Sequence, residues 1–70
     1  MGGVIAVQSS NLAAVDYSWN GTLTVAFHGG GVYEYYGVPQ ATYAGLMNAA
    51  SHGRYFHVHV KNRFRFRKIG

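Results

Sequence analysis

The sequence predicts an α+β fold: a small antiparallel β-sheet, made of a three-stranded meander plus a C-terminal strand, with a helix opening at Pro39. Three observations carry this. Apolar and other residues alternate in "LAAVDYSW", "TLTVAF" and "RFRFRKI", the period of a strand with one buried face. Asn20-Gly21 stands between the first two of these, and both residue types tolerate the positive φ of a tight hairpin turn. Pro39 then precedes Tyr43, Leu46, Met47 and Ala50, which recur at helical spacing.

In chain order, the apolar run Val4 to Val7 adds a strand or lies along the sheet edge. In the first clear strand Ala13, Val15, Tyr17 and Trp19 share a face, and in the second Leu23, Val25 and Phe27 do. A type I′ turn at Asn20-Gly21 joins them. "HGGG", His28 to Gly31, turns the chain into a third strand, "VYEYYGV". The helix after Pro39 directs Tyr43, Leu46, Met47 and Ala50 at the sheet, and Gly45 within it allows a neighbour to approach closely. "SHG" ends it. "RYFHVHVKN" reads two ways: strict alternation argues a strand, whereas the Phe56/Val60 pair also fits a short helix. The closing strand points Phe64 and Phe66 inward and Arg63, Arg65 and Arg67 outward.

Seventy residues make one domain, spanning 1–70, near the size at which a single apolar core is marginal. No cysteine offers a disulfide, a thiol nucleophile or a thiolate ligand. No apolar run is long enough for a membrane span and no signal-peptide pattern opens the chain, so a cytoplasmic protein without membrane contact is expected. Charged residues are only 11% of the chain, against about 25% in average domains. Much of the surface is therefore apolar, which predicts a homo-oligomer, a dimer or tetramer. The charge is also segregated. The only acids are Asp16 and Glu34, and all six cations fall between Arg54 and Lys68. Such a cationic end calls for an anionic partner or a solvated polar face.

Catalytic chemistry finds no support. Asp16 and Glu34 occupy different strands with nothing to set them face to face, and Ser9 and Ser10 lack a nucleophile-elbow context. His57-x-His59 would chelate a metal only on a strand, since residues i and i+2 of a helix do not face each other. His28-Gly29-Gly30-Gly31 precedes a strand rather than a helix, so it is a turn and not a phosphate loop. No enzyme, metal or cofactor is expected.

"SSNLAAVDYSWNGTLTVAFHGGGVYEYYGVP" followed by "SHGRYFHVHVKNRFRF" resembles a KTSC domain, a small module found alone in bacteria and phages and at the C-terminus of some lysyl-tRNA synthetases. The resemblance runs from about Ser9 to Phe66. It rests on Ser10-Asn11, the Y-x-Y of Tyr33 and Tyr35, Val38-Pro39, and Gly53-x-Tyr55-Phe56. His57 stands where the family commonly has Asn, so no role of that Asn transfers. The resemblance implies that residues 54–61 form a short second helix near Tyr55. It implies no catalysis, and RNA binding follows only from the attachment to a synthetase.

Arginines and aromatics then remain. Nucleotides need cationic forks for phosphate oxygens and flat apolar faces for bases. Arg63, Arg65 and Arg67 offer the forks, with Arg54 and Lys61 nearby in sequence. Tyr33, Tyr35, Tyr55 and Phe56 offer stacking faces. Six cations are few for a long duplex but enough for a compact ligand with two or three phosphates. The expected function is a non-catalytic nucleotide- or short-oligonucleotide-binding module. Its best use is as an oligomeric sponge that sequesters a small cyclic nucleotide signal, as in phage counter-defence. An RNA-binding module and a purely structural oligomer are the alternatives.

Overall fold

The structure, a computed structural model, describes residues 5–7 and 11–70. Strands β1 (Ile5–Ala6), β2 (Leu12–Tyr17), β3 (Leu23–Phe27) and β4 (Val32–Tyr35) are followed by helices α1 (Gln40–Asn48) and α2 (His52–His59), and β5 (Phe66–Lys68) closes the chain. The sheet has the order β1-β2-β3-β4-β5, every pair antiparallel. The α+β expectation and the edge position of the N-terminal run hold. Val4, Ser9 and Ser10 lie outside the described residues.

Both helices cover one face of the sheet. Leu46 of α1, Phe56 of α2 and Val60 just beyond it join Leu12, Val15, Leu23, Val25, Tyr35 and Val38 in a single core. Strict alternation misplaced part of β2. Its register shifts between Leu12 and Ala14, a β-bulge at Ala13, so Leu12 and Val15 are both buried. Trp19 lies beyond the strand and is 73% exposed.

The β2–β3 turn is not type I′. Asn20 has no positive φ, whereas Gly21 sits at φ 89°. Ser18 N donates to Thr22 O and Gly21 N to Ser18 O, which closes a three-residue loop with glycine in the left-handed position. The β3–β4 hairpin repeats the device: Phe27 N donates to Gly31 O, Gly30 N donates to Phe27 O, and Gly30 has φ 101°.

Pro39 caps α1 rather than entering it, and Ala50 is exposed beyond the helix end. Ser51 caps α2 by accepting from Arg54 N, so residues 54–61 begin as helix and the alternation there is coincidental. Gly45 lets α2 close on α1. A Cβ at that position would lie 2.7 Å from Tyr55 Cζ. Gly45→Ala should therefore lower stability by about 1–2 kcal/mol despite the better helix propensity of alanine. In a Tyr55→Ala background the same change should become stabilising. Thermal melts of the four variants check this, and additive effects would contradict it.

Candidate functional site

The register decides which side chains share a face. Val25, Tyr33 and Lys68 lie opposite one another across β3, β4 and β5, as do Leu23, Tyr35 and Phe66. Val25 and Leu23 are core residues, so Tyr33, Tyr35, Phe66 and Lys68 stand on the helix-covered side. The rows between them, Thr24, Glu34 and Arg67, stand on the other.

On the helix side five rings form a continuous wall. Phe56 meets Phe27 and Tyr35 edge-on, with centroids 5.4 and 5.2 Å apart. Tyr33 meets Phe27 at 5.8 Å, and Phe66 lies 6.0 Å from Tyr33 and 5.7 Å from Tyr35. These rings enclose a cleft of about 380 Å³, completed by Gly30, Lys61 and Asn62. Phe66, expected to point into the core, is instead 55% exposed. Strand β5 is the last strand of the sheet, and the helices do not reach over it.

The end of α2 fixes the cationic rim. Val60 N and Lys61 N both donate to Phe56 O, and Asn62 takes the left-handed φ of 65° that turns the chain back toward the sheet. Lys61 thus also borders a second hollow of about 450 Å³, which shares Phe27 and Phe56 with the cleft and adds Asn11, Gly29, Gly53 and His57. Past the turn, Arg63 and Arg65 line a shallow depression with Phe64 that shares Asn62 and Phe66 with the cleft. None of the residues lining these three spaces is acidic.

The expected arginine strip is therefore divided. Arg63 lies in the turn and Arg65 just before β5, where its carbonyl accepts from Tyr36 N; both border the depression beside the cleft and neither lines the cleft itself. Arg67 pairs across from Glu34 on the opposite face, where Tyr36 OH donates to Glu34 Oε1 at 2.9 Å. Of the expected aromatic residues, Tyr33, Tyr35 and Phe56 line the cleft. Tyr35 and Phe56 do so as buried core residues. Tyr55 does not reach it: its ring rests on Gly45 and lies 4.3 Å from His59. Arg54 accompanies Tyr55 on that separate surface. Phe27, Asn62 and Phe66 are the lining residues that sequence reasoning missed. The signal that could have found Phe66 is the strand register, which places it beside Tyr35. His57 and His59 diverge on α2, and among the described residues no group of three His, Cys, Asp or Glu side chains could hold a metal.

Burial, and secondarily the neighbouring Tyr33, raises the Tyr35 hydroxyl above the ordinary tyrosine value of 10.0. Burial and Asp16 do the same for Tyr43. A raised value means that the fold favours the neutral phenol. That stabilisation is complete below pH 10 and is lost as pH rises through the higher folded values. Stability should accordingly fall as pH rises past the ordinary tyrosine value of 10.0, and Tyr35→Phe should remove part of that fall. Urea melts across that rise test it; an identical slope in the variant would contradict the assignment.

No helix among the described residues is long and apolar enough to cross a membrane. Residues 8–64 match the family model of the KTSC domain. The chain is 44% identical over 48 residues to the lysine–tRNA ligase of Trichormus variabilis and 42% identical over 48 residues to that of Nostoc punctiforme. Each match covers 69% of this chain but only 9% of the ligase, so the chain spans about a tenth of the relatives' length. A crystal structure of a KTSC domain protein from Yersinia pestis superposes with a TM-score of 0.95 at 35% identity, covering 100% of both chains. A sheet of this order, helices in these places and a family match over most of its length agree: the chain belongs to the KTSC domain family.

Proposed function

We propose that the domain is a non-catalytic receptor for a phosphate-bearing nucleotide or short oligonucleotide. One observation carries the reading: an aromatic cleft of about 380 Å³ lined by Lys61, with no carboxylate among its lining residues, which shares Asn62 and Phe66 with a shallow depression bordered by Arg63 and Arg65. Tyr33 and Phe66 supply flat faces for a base, backed by the buried Tyr35. The guanidinium forks of Arg63 and Arg65 supply paired donors for phosphate oxygens, and Lys61 adds a point charge at the cleft wall. In the cytoplasm such a domain acts by withdrawing its ligand from other proteins, a sponge for a small cyclic nucleotide signal, as in phage counter-defence.

The test is direct. Protein purified without added ligand should elute with a high 260/280 nm absorbance ratio, and mass spectrometry of the supernatant after denaturation should identify the nucleotide. Protein free of nucleotide that fails to bind either a cyclic dinucleotide or a short single-stranded RNA would leave only a structural role. A second reading, RNA binding, is favoured by the 44% identity to a segment of a lysine–tRNA ligase. Salt separates the two. Affinity for a ligand with two or three phosphates falls gently with ionic strength, whereas an RNA tract gives a steep slope.

A further inference from the structure

The face of the sheet away from both helices carries no helix among the described residues, and its side chains fall into two rows, with Tyr36 beyond them donating to Glu34 Oε1. Ala14, Ala26 and Val32 form an apolar row across β2, β3 and β4. Beside it, Asp16, Thr24, Glu34 and Arg67 form a polar row across β2 to β5. Both carboxylates of the chain are in that row. Asp16 is half-buried, with its Oδ1 buried and without a hydrogen-bond partner, and Arg67 is exposed at the other end.

We propose that this face binds a second copy of the chain about a two-fold axis parallel to the strands, midway between β3 and β4, so that β5 of one copy lies over β2 of the other. Such an axis keeps each row over its own counterpart. Arg67 then faces the partner's Asp16, Thr24 faces the partner's Glu34, and Ala26 faces the partner's Val32. Each contact occurs twice, as an isologous interface requires. The alternative axis, perpendicular to the strands, sets Asp16 over Ala14 and Glu34 over Val32, and leaves each carboxylate facing an apolar residue. Charge complementarity selects the first. Packed sheets lie about 10 Å apart, a gap that Ala, Thr and Val leave open and a long arginine side chain bridges. The molecule measures 27 × 25 × 24 Å, so the buried face is smaller than the roughly 800 Å² per partner of a standard interface. The dimer is therefore a weak one, and both aromatic clefts remain open on its outer sides.

The test uses charge exchange and sedimentation equilibrium, with circular dichroism to show that each variant folds. The wild-type chain should have the mass of a dimer at about 100 µM. Arg67→Glu sets Glu against Asp16, and Asp16→Arg sets Arg against Arg67, so each alone should dimerise at least tenfold more weakly. Mixed in equal amounts they should restore the dimer mass, because both contacts of the mixed pair join opposite charges. A wild-type chain with the mass of one copy, or Arg67→Glu with undiminished dimerisation, overturns the proposal. So does a mixture of two folded variants that stays monomeric. Should Asp16→Arg fail to fold, Arg67→Glu alone decides.

Discussion

Phe56→Ala is expected to leave the domain largely unfolded at ordinary temperatures. Phe56 is 4% exposed and is the buried residue of α2. Its ring meets Phe27 and Tyr35 at 5.4 and 5.2 Å, so it joins the helix to both β3 and β4. Truncating such a ring costs about 3–5 kcal/mol from lost transfer energy and the cavity left behind. A domain of this length has only about 4–10 kcal/mol in total, at roughly 0.05–0.15 kcal/mol per residue. The melting temperature should drop by roughly 12 °C or more, followed by circular dichroism. Phe56→Leu, which keeps most of the volume, should cost less than half as much. A cooperative Phe56→Ala transition within a few degrees of wild type would show that α2 is not anchored through this ring. Phe56 was expected from sequence to contact ligand. Since it holds the wall of the cleft in place, a loss of binding in Phe56→Ala would report folding, and residues that are exposed in the cleft must carry the functional test.

How much of this was legible depended on whether a residue's neighbours are local. The three-stranded meander follows from short loops rich in glycine, and the helix after Pro39 from local spacing, so both could be read directly. Ala13 shows the first limit. One extra residue in β2 moves Leu12 onto the buried face, and nothing in "NLAAV" announces a bulge. Residues 54–61 show the second: "RYFHVHVK" satisfies a strand period, and the Ser51 cap together with the Phe56/Val60 pair decides for helix. Alternation alone could not weigh those, whereas the family resemblance did. The candidate site shows the third limit. Arg63, Arg65 and Arg67 look like one strip in sequence, but the turn at Asn62 holds Arg63 outside the sheet, and only Arg67 falls within the short β5. Phe66 enters the cleft only because β5 returns to pair with β4, a contact between distant parts of the chain.

Phe66→Ala should weaken binding of a cyclic dinucleotide or a short single-stranded RNA, whichever the domain takes, by roughly 5- to 150-fold, the worth of about 1–3 kcal/mol for one stacked base. Its ring is half exposed, at the open side of the cleft and near Tyr33 and Tyr35, so the fold loses little when it goes. Arg65 tests the phosphate side. Arg65→Lys keeps the charge but loses the planar fork, and affinity should fall although the net charge is unchanged. Arg65→Glu should abolish binding while the melting temperature stays close to wild type, because an exposed position beside the last strand tolerates either sign of charge. Arg67→Glu makes the same change of charge on the opposite face of the sheet, across from Glu34, and should leave affinity for the ligand nearly intact. That contrast separates a built site from a general attraction between a basic chain and an anion. A general attraction would make the two glutamate variants equally weak, whereas a solvated edge with no ligand role would leave both unchanged. Isothermal titration of the four variants, with melts of the same samples, distinguishes the outcomes. If Arg65→Glu and Phe66→Ala both bind like wild type, the cleft does not hold the nucleotide, and the proposed function would have to rest on the hollow bordered by Lys61 and His57 or be given up.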